Sequence, residues 1–141
     1  MRYARLWAAL AATASLTTAP AAPAPPRFAS TLPVAFHCTV TGTKNLRQDA
    51  SASQICNLFQ RRVDRAIARQ TRMTTGWPAS GNAISVTIHA STPREISAAA
   101  IIRVNRQIRR VPEITLDVMD KSAGLRDLEL LADQLARAIV Q

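Results

Sequence analysis

The fold is decided by residues 34–41, which read VAFHCTVT. Apolar side chains alternate there with polar or small ones, and this predicts a strand with Cys38 on its buried side. A helical pattern begins near Ser51, where Gln54 three residues later completes a capping box. Cys56 falls on the apolar face of that helix. The two cysteines are the only ones in the chain, and we expect them to meet inside the protein as a disulfide.

The N-terminal segment has the pattern of a secretory signal peptide. Two arginines precede an apolar run from Leu6 to Leu16, and small residues and prolines follow. We predict a signal peptide over residues 1–21, a disordered Pro/Ala-rich lead-in over 22–31 and a single exported domain over 32–141. The run is shorter than the roughly 20 residues that cross a bilayer, so no membrane span is expected. An exported chain would be periplasmic or secreted and would oxidise its cysteines.

The remaining elements follow from apolar periodicity. Alternation predicts strands over 83–90 and 114–119, and a helical apolar stripe predicts a last helix near the end of the chain. Residues 92–111 fit either a helix or a strand, and we predict a strand that turns tightly into the next one near Asn105. Pro112 cannot donate a hydrogen bond to a strand ladder, so we place it at an edge or a bulge.

Together these elements predict an α+β fold, a small two-layer sandwich in the order β-α-β-β-β-α. We expect a four-stranded antiparallel sheet with both helices on one face and the disulfide Cys38–Cys56 tying the first strand to the first helix. If residues 93–110 are helical, the order becomes βαβαβα. The other sheet face would be small and hydroxylated, open to water, to a second copy of the chain or to another partner.

The chain is strongly basic, with 18 basic and 9 acidic residues and a formal net charge of +9. Sixteen of the basic residues are arginine, a bias that a GC-rich genome can produce, so position is more informative than net charge. Helical spacing places five arginines on one arc after the predicted capping box: Arg61, Arg62, Arg65, Arg69 and Arg72. Four more follow later in the chain: Arg103, Arg106, Arg109 and Arg110. Because guanidinium groups pair well with phosphate and carboxylate, we predict that the first group binds anions, with help from the second.

Motifs for catalysis are missing from the sequence. It contains no Gly-rich phosphate loop, no Gly-x-Ser-x-Gly elbow and no His-Glu-x-x-His. His37 and His89 are the only histidines, and both fall on the polar side of predicted strands. Two histidines without a third ligand make a poor metal site. We therefore expect no catalytic residues, no bound metal and no cofactor.

The leading hypothesis is a non-enzymatic exported binding or accessory module that contacts an anionic envelope component or an acidic protein. Nucleic acid is a poor candidate partner, because export separates the chain from most DNA and RNA and no aromatic stacking platform is visible. Two alternatives stay open. One is a small exported hydrolase or metal-binding protein, and the other is a structural subunit that associates through the open sheet face, for example as a homodimer.

Overall fold

A computed structural model describes residues 32–47, 50–119 and 121–141. The predicted signal peptide and lead-in lie outside the described residues. The described part of the chain forms five strands and two α-helices, and a short 3-10 helix, Thr43–Asn45, follows the first strand. The elements are β1 (Val34–Thr41), α1 (Ala52–Ile67), β2 (Arg72–Thr74), β3 (Asn82–Thr92), β4 (Glu95–Val104), β5 (Gln107–Asp117) and α2 (Leu125–Val140).

The strands form one mixed sheet in the order β2-β1-β3-β4-β5. β1 is parallel to both of its neighbours, whereas β3, β4 and β5 pair antiparallel. The α+β class is confirmed, but the prediction of four antiparallel strands was wrong in number and, for β1, in direction. β1 and β3 are parallel because α1 carries the chain back along the sheet, so that both strands start at the same end. β2 was missed because three residues are too few to show alternation.

The ambiguous segment 92–111 is extended, as predicted. β4 and β5 form a hairpin whose turn residues, Asn105 and Arg106, have φ angles of 51° and 68°. Positive φ at both central positions defines the turn that best fits the twist of paired strands. Pro112 lies in β5 at the edge of the sheet, where the pairing with β4 shifts between Ala98 and Ala100. Its predicted placement at an edge or a bulge is confirmed.

Both helices pack on one face of the sheet, α1 against β1 and α2 against β4 and β5. Helix α1 begins at the predicted capping box, in which the Ser51 side chain accepts a hydrogen bond from the Gln54 amide. The predicted disulfide is confirmed: the sulfurs of Cys38 and Cys56 lie 2.10 Å apart and join β1 to α1. The core between the layers is apolar, and its largest fully buried side chains include Phe36, Ile55, Phe59, Ile84, Ile88, Ile96, Leu128 and Leu131.

The two helices run in the same direction. We define the lower end of the sheet as the end at which β1 and β3 begin, and the upper end as the opposite one. α1 follows β1, and α2 follows β5, so both helices start near the upper end and finish near the lower end. Arg109, near the lower end of β5, accordingly donates to the carbonyls of Ala138 and Ile139 in the last turn of α2.

Candidate functional site

The predicted arc of five arginines is divided by the end of α1. The helix finishes at Ile67, and Ala68 adopts a left-handed conformation with a φ of 55° that turns the chain away. Arg69 therefore follows the helix, and Arg72 belongs to β2. Helical spacing beyond residue 67 was extrapolated too far, so the five side chains do not share one helical face.

Arg62 is part of the helix interface. Its Nη1 lies 2.8 Å from Oδ1 of Asp133 on α2, and this is the one salt bridge among the described residues. The two side chains are 26% and 37% exposed. Arg62 therefore links the two helices and has its charge already matched.

Arg69 and Arg72 also lie elsewhere. The Arg69 guanidinium donates to the carbonyl oxygen of Leu32, just before β1. Arg72 pairs in register with Ala35, whose neighbours in β1 face the core. Since side chains alternate along a strand, Arg72 lies on the sheet face that the helices leave open. Neither residue joins the arginines on the outer side of α1.

Arg61 and Arg65 remain exposed on α1, and Arg137 of α2 joins them. Arg65 lies about one turn beyond Arg62, and Arg137 lies one turn beyond Asp133. Because the helices are parallel and joined by the ion pair between those two residues, the next turns of both helices lie side by side. We name Arg61, Arg65 and Arg137 the helix arginine surface.

Arg137 was missed in the sequence because it lies four residues after Asp133 on α2, and helical spacing alone would pair the two. That spacing shows which residues of one helix are neighbours, but not which residue of another helix competes for the same carboxylate. The nearby acid is Glu129, which lines a shallow depression with Arg61. Glu129 forms no ion pair within the described part of the chain, so the helix arginine surface keeps a net positive charge.

Two of the later arginines have structural roles. Arg109 caps the end of α2, as described above. Arg103 donates to the carbonyl oxygens of Gly81 and Pro78, at 2.7 Å each, and stacks over Trp77 with 4.8 Å between the guanidinium carbon and the ring centroid. Trp77 remains 38% exposed. Trp77 therefore packs against Arg103 on an exposed loop and does not close the end of the core.

The open face of the sheet is small and hydroxylated, as predicted. Residues from β3, β4 and β5 line a depression of about 300 Å³ on it. The open-face residues around the depression are Ser85, Thr87, Ala99, Ile101, Arg110 and Pro112. Arg110 is exposed and pairs in register with Ile101. At the lower end of this face Ala83 is in register with Arg103, and it is fully buried although its side chain lies on the open side.

The histidines lie on the open face but far from one another. β1 and β3 are neighbours, yet His37 is in register with Ser85 while His89 is in register with Thr41. The rings are thus four residues apart along the strands, roughly 13 Å. His37 Nδ1 lies 3.2 Å from Ser85 Oγ, and His89 Nδ1 lies 2.6 Å from Thr41 Oγ1. Each histidine therefore bonds a hydroxyl across the strand pair instead of meeting the other histidine.

Within residues 32–47, 50–119 and 121–141, no three His, Cys, Asp or Glu side chains are grouped so that they could hold a metal ion. Neither helix in the same ranges is long and apolar enough to cross a membrane.

Comparisons with known proteins leave the family open. No protein-family model matches the chain, and no curated protein matches it. One solved structure that resembles the chain is described as an uncharacterized protein. It is 11% identical, and the alignment covers 74% of this chain and 86% of the other with a TM-score of 0.45. A likeness this distant carries no conclusion about function.

Proposed function

We propose that this chain is an exported, non-enzymatic binding or accessory module that contacts an anionic envelope component or an acidic protein through the helix arginine surface. The observation that carries the proposal is the pairing of Arg62 with Asp133. This ion pair occupies the Asp133 carboxylate between the helices. Within the described part of the chain, the three guanidinium groups of the helix arginine surface are therefore exposed and have no acidic partner.

The energetics of this surface favour an anion. Arg61 and Arg65 are spaced four apart on one helix, and like charges at that spacing destabilise a helix slightly. A phosphate or carboxylate placed between them would relieve the repulsion and could be held by two guanidinium forks. Arg65 and Arg137 also lie in the last turns of two parallel helices, where positive charge is favourable, so part of their benefit is structural.

The proposed export is supported by the disulfide. A bond between Cys38 and Cys56 persists in an oxidising compartment and is uncommon in a reducing cytosol. Together with the signal-peptide pattern, this favours the periplasm or the exterior of the cell. Mass spectrometry of the chain recovered from the envelope tests both points: we expect an N-terminus near residue 22 and no free thiol.

Binding to anionic vesicles tests the proposed contact. A triple variant, Arg61→Gln, Arg65→Gln and Arg137→Gln, should bind vesicles rich in a phosphate-headed anionic lipid ~100-fold more weakly, because each arginine near such a surface contributes about 1 kcal/mol. An anionic polysaccharide and an acidic polypeptide, run in the same salt series, identify which anion is preferred. Binding of the unmodified chain should fall as salt rises.

A matched variant controls for net charge. Lys44→Gln, Arg94→Gln and Arg126→Gln remove three exposed positive charges near the upper end of the fold, and we expect a much smaller loss of binding. Equal losses in both triple variants would show that total charge, and not this surface, drives binding. Binding that ignores salt would also contradict the proposal.

A small hydrolase is the second candidate, and the hydrogen bond between His37 and Ser85 is the observation that favours it. Ser85 lines the open-face depression, and Arg110 on the other side could hold an anionic substrate group. No carboxylate bonds the His37 ring in the described residues, so a third member that orients the base is missing. Hydrolysis of activated esters that is lost in both Ser85→Ala and His37→Ala would support this candidate, and no turnover would end it.

A further inference from the structure

The open face carries opposite charges at its two ends. On β5, Arg110 lies in the lower half, while Asp117 lies at the upper end opposite Glu95 of β4. All three side chains are exposed. They lie on the open side, because the β4 residues between these positions that face the core are Ile96, Ala98, Ala100 and Ile102. Among these three residues of β4 and β5, the positive charge therefore lies below and the two negative charges lie above.

Small side chains separate the two charged ends. Ser97 and Ala99 of β4 and Thr87 of β3 occupy the middle of the face, and the depression of about 300 Å³ lies beside them. Sheets that pack face to face lie about 10 Å apart, and small residues in the centre permit that approach. Ile101, half-buried at the edge of the depression, supplies the apolar group there.

We propose that a second copy of this chain covers the open face, related by a two-fold axis that lies between the sheets and runs perpendicular to the strands. Such an axis reverses the strand direction but keeps each strand opposite its own copy. Arg110 of one protomer then lies over the acidic upper end of its partner, and the same contact repeats symmetrically. A self-complementary face is what an isologous interface requires, and this arrangement of charges provides it.

The size of the face fits a weak dimer. Four strands of about eight residues give a surface of on the order of 20 Å by 25 Å, or about 500 Å², slightly below the roughly 600–1,000 Å² per partner of a standard interface. The face is more polar than the core of an obligate dimer. We therefore expect a micromolar, salt-sensitive dimer rather than a permanent one.

Pairing through the edge of the sheet is the competing arrangement. β5 is an exposed edge strand, but Pro112 has no amide to donate and its pairing with β4 is irregular at that point. Both features protect edges from adding further strands. β5 is therefore a poorer interface than the face it borders, and the helix arginine surface on the opposite side of the molecule is left free.

A charge-swap experiment on the full chain tests the dimer. Sedimentation velocity should show the unmodified chain dimerising in low salt. Arg110→Glu places like charges together twice per dimer, as does Asp117→Arg, and we expect each variant to dimerise ~100-fold more weakly.

Mixing the two variants should restore the dimer. In the mixed pair, one contact joins the glutamate introduced at position 110 to the arginine introduced at position 117. The other contact keeps the native pair, Arg110 with Asp117, so both contacts are attractive. Arg126→Glu makes the same charge change on α2 and should leave dimerisation intact.

Folding and dimerisation are separated by two further measurements. Thermal unfolding of each exposed variant at low concentration should match that of the unmodified chain. Thr87→Arg, which fills the depression with a large charged side chain, should also give monomers. The proposal is overturned by a monomer at the highest soluble concentration of the unmodified chain, or by a mixture of the two charge variants that stays monomeric.

Discussion

The two faces of the sheet differ sharply although their residues alternate along the same strands. On the helix side, Ile84, Val86 and Ile88 of β3 are fully buried. Their neighbours on the other side, Ser85 and Thr87, are small, hydroxylated and partly or fully exposed. The helix side thus determines stability, whereas the open side can change with little effect on folding and is free to serve recognition.

The largest effect that tests this contrast comes from two adjacent residues. Ile88→Ala removes a fully buried side chain from the core and should lower the free energy of unfolding by about 2–5 kcal/mol. Thr87→Ala, one position earlier on the exposed side, should change it by less than about 0.5 kcal/mol. Urea unfolding at low protein concentration measures both. Similar losses from the two substitutions would mean that the open face is not open in solution.

Removing the disulfide tests how the helix layer is attached to the sheet. Cys38 lies on the helix side of β1 and is joined to α1 across 18 residues of sequence. A Cys38→Ala, Cys56→Ala variant should lose roughly 3 kcal/mol, mainly because its unfolded chain is less restricted. The unmodified chain in reductant should show a similar loss in urea unfolding. A loss in the variant alone would point to packing around the alanines rather than to the covalent link.

Most of the fold could be predicted from the alternation of apolar and polar residues, and the errors in the prediction have physical causes. The strand of VAFHCTVT, the capping box at Ser51 and the disulfide were predicted correctly, because each depends on residues close in sequence or on apolar side chains that must be buried. The direction of β1 relative to β3 depends on how α1 crosses the sheet, which local pattern does not show. A strand as short as β2 leaves no periodic signal at all.

The candidate site was less predictable than the fold. Two features of the tertiary structure decide which arginines are exposed on one surface. They are the residue at which α1 ends and the residue that pairs with Asp133. Arg62 pairs with that carboxylate from the neighbouring helix, and Arg103 holds the Trp77 loop. Long side chains can reach several partners, so sequence spacing limits their contacts only weakly. Tertiary structure therefore decides which guanidinium groups remain available for a ligand.

The smallest predicted effect distinguishes the two faces with two adjacent arginines. Arg109 donates to carbonyl groups at the end of α2, so Arg109→Met should lower the free energy of unfolding by about 1–2 kcal/mol through the lost charged hydrogen bonds. Arg110 lies on the open face without such contacts to the described residues, and Arg110→Met should leave stability within about 0.5 kcal/mol in dilute protein. At high concentration Arg110→Met should weaken the dimer, whereas Arg109→Met should leave dimerisation unchanged. Equal stability losses in dilute solution would contradict this division of roles, because they would show that both guanidinium groups hold the protomer together.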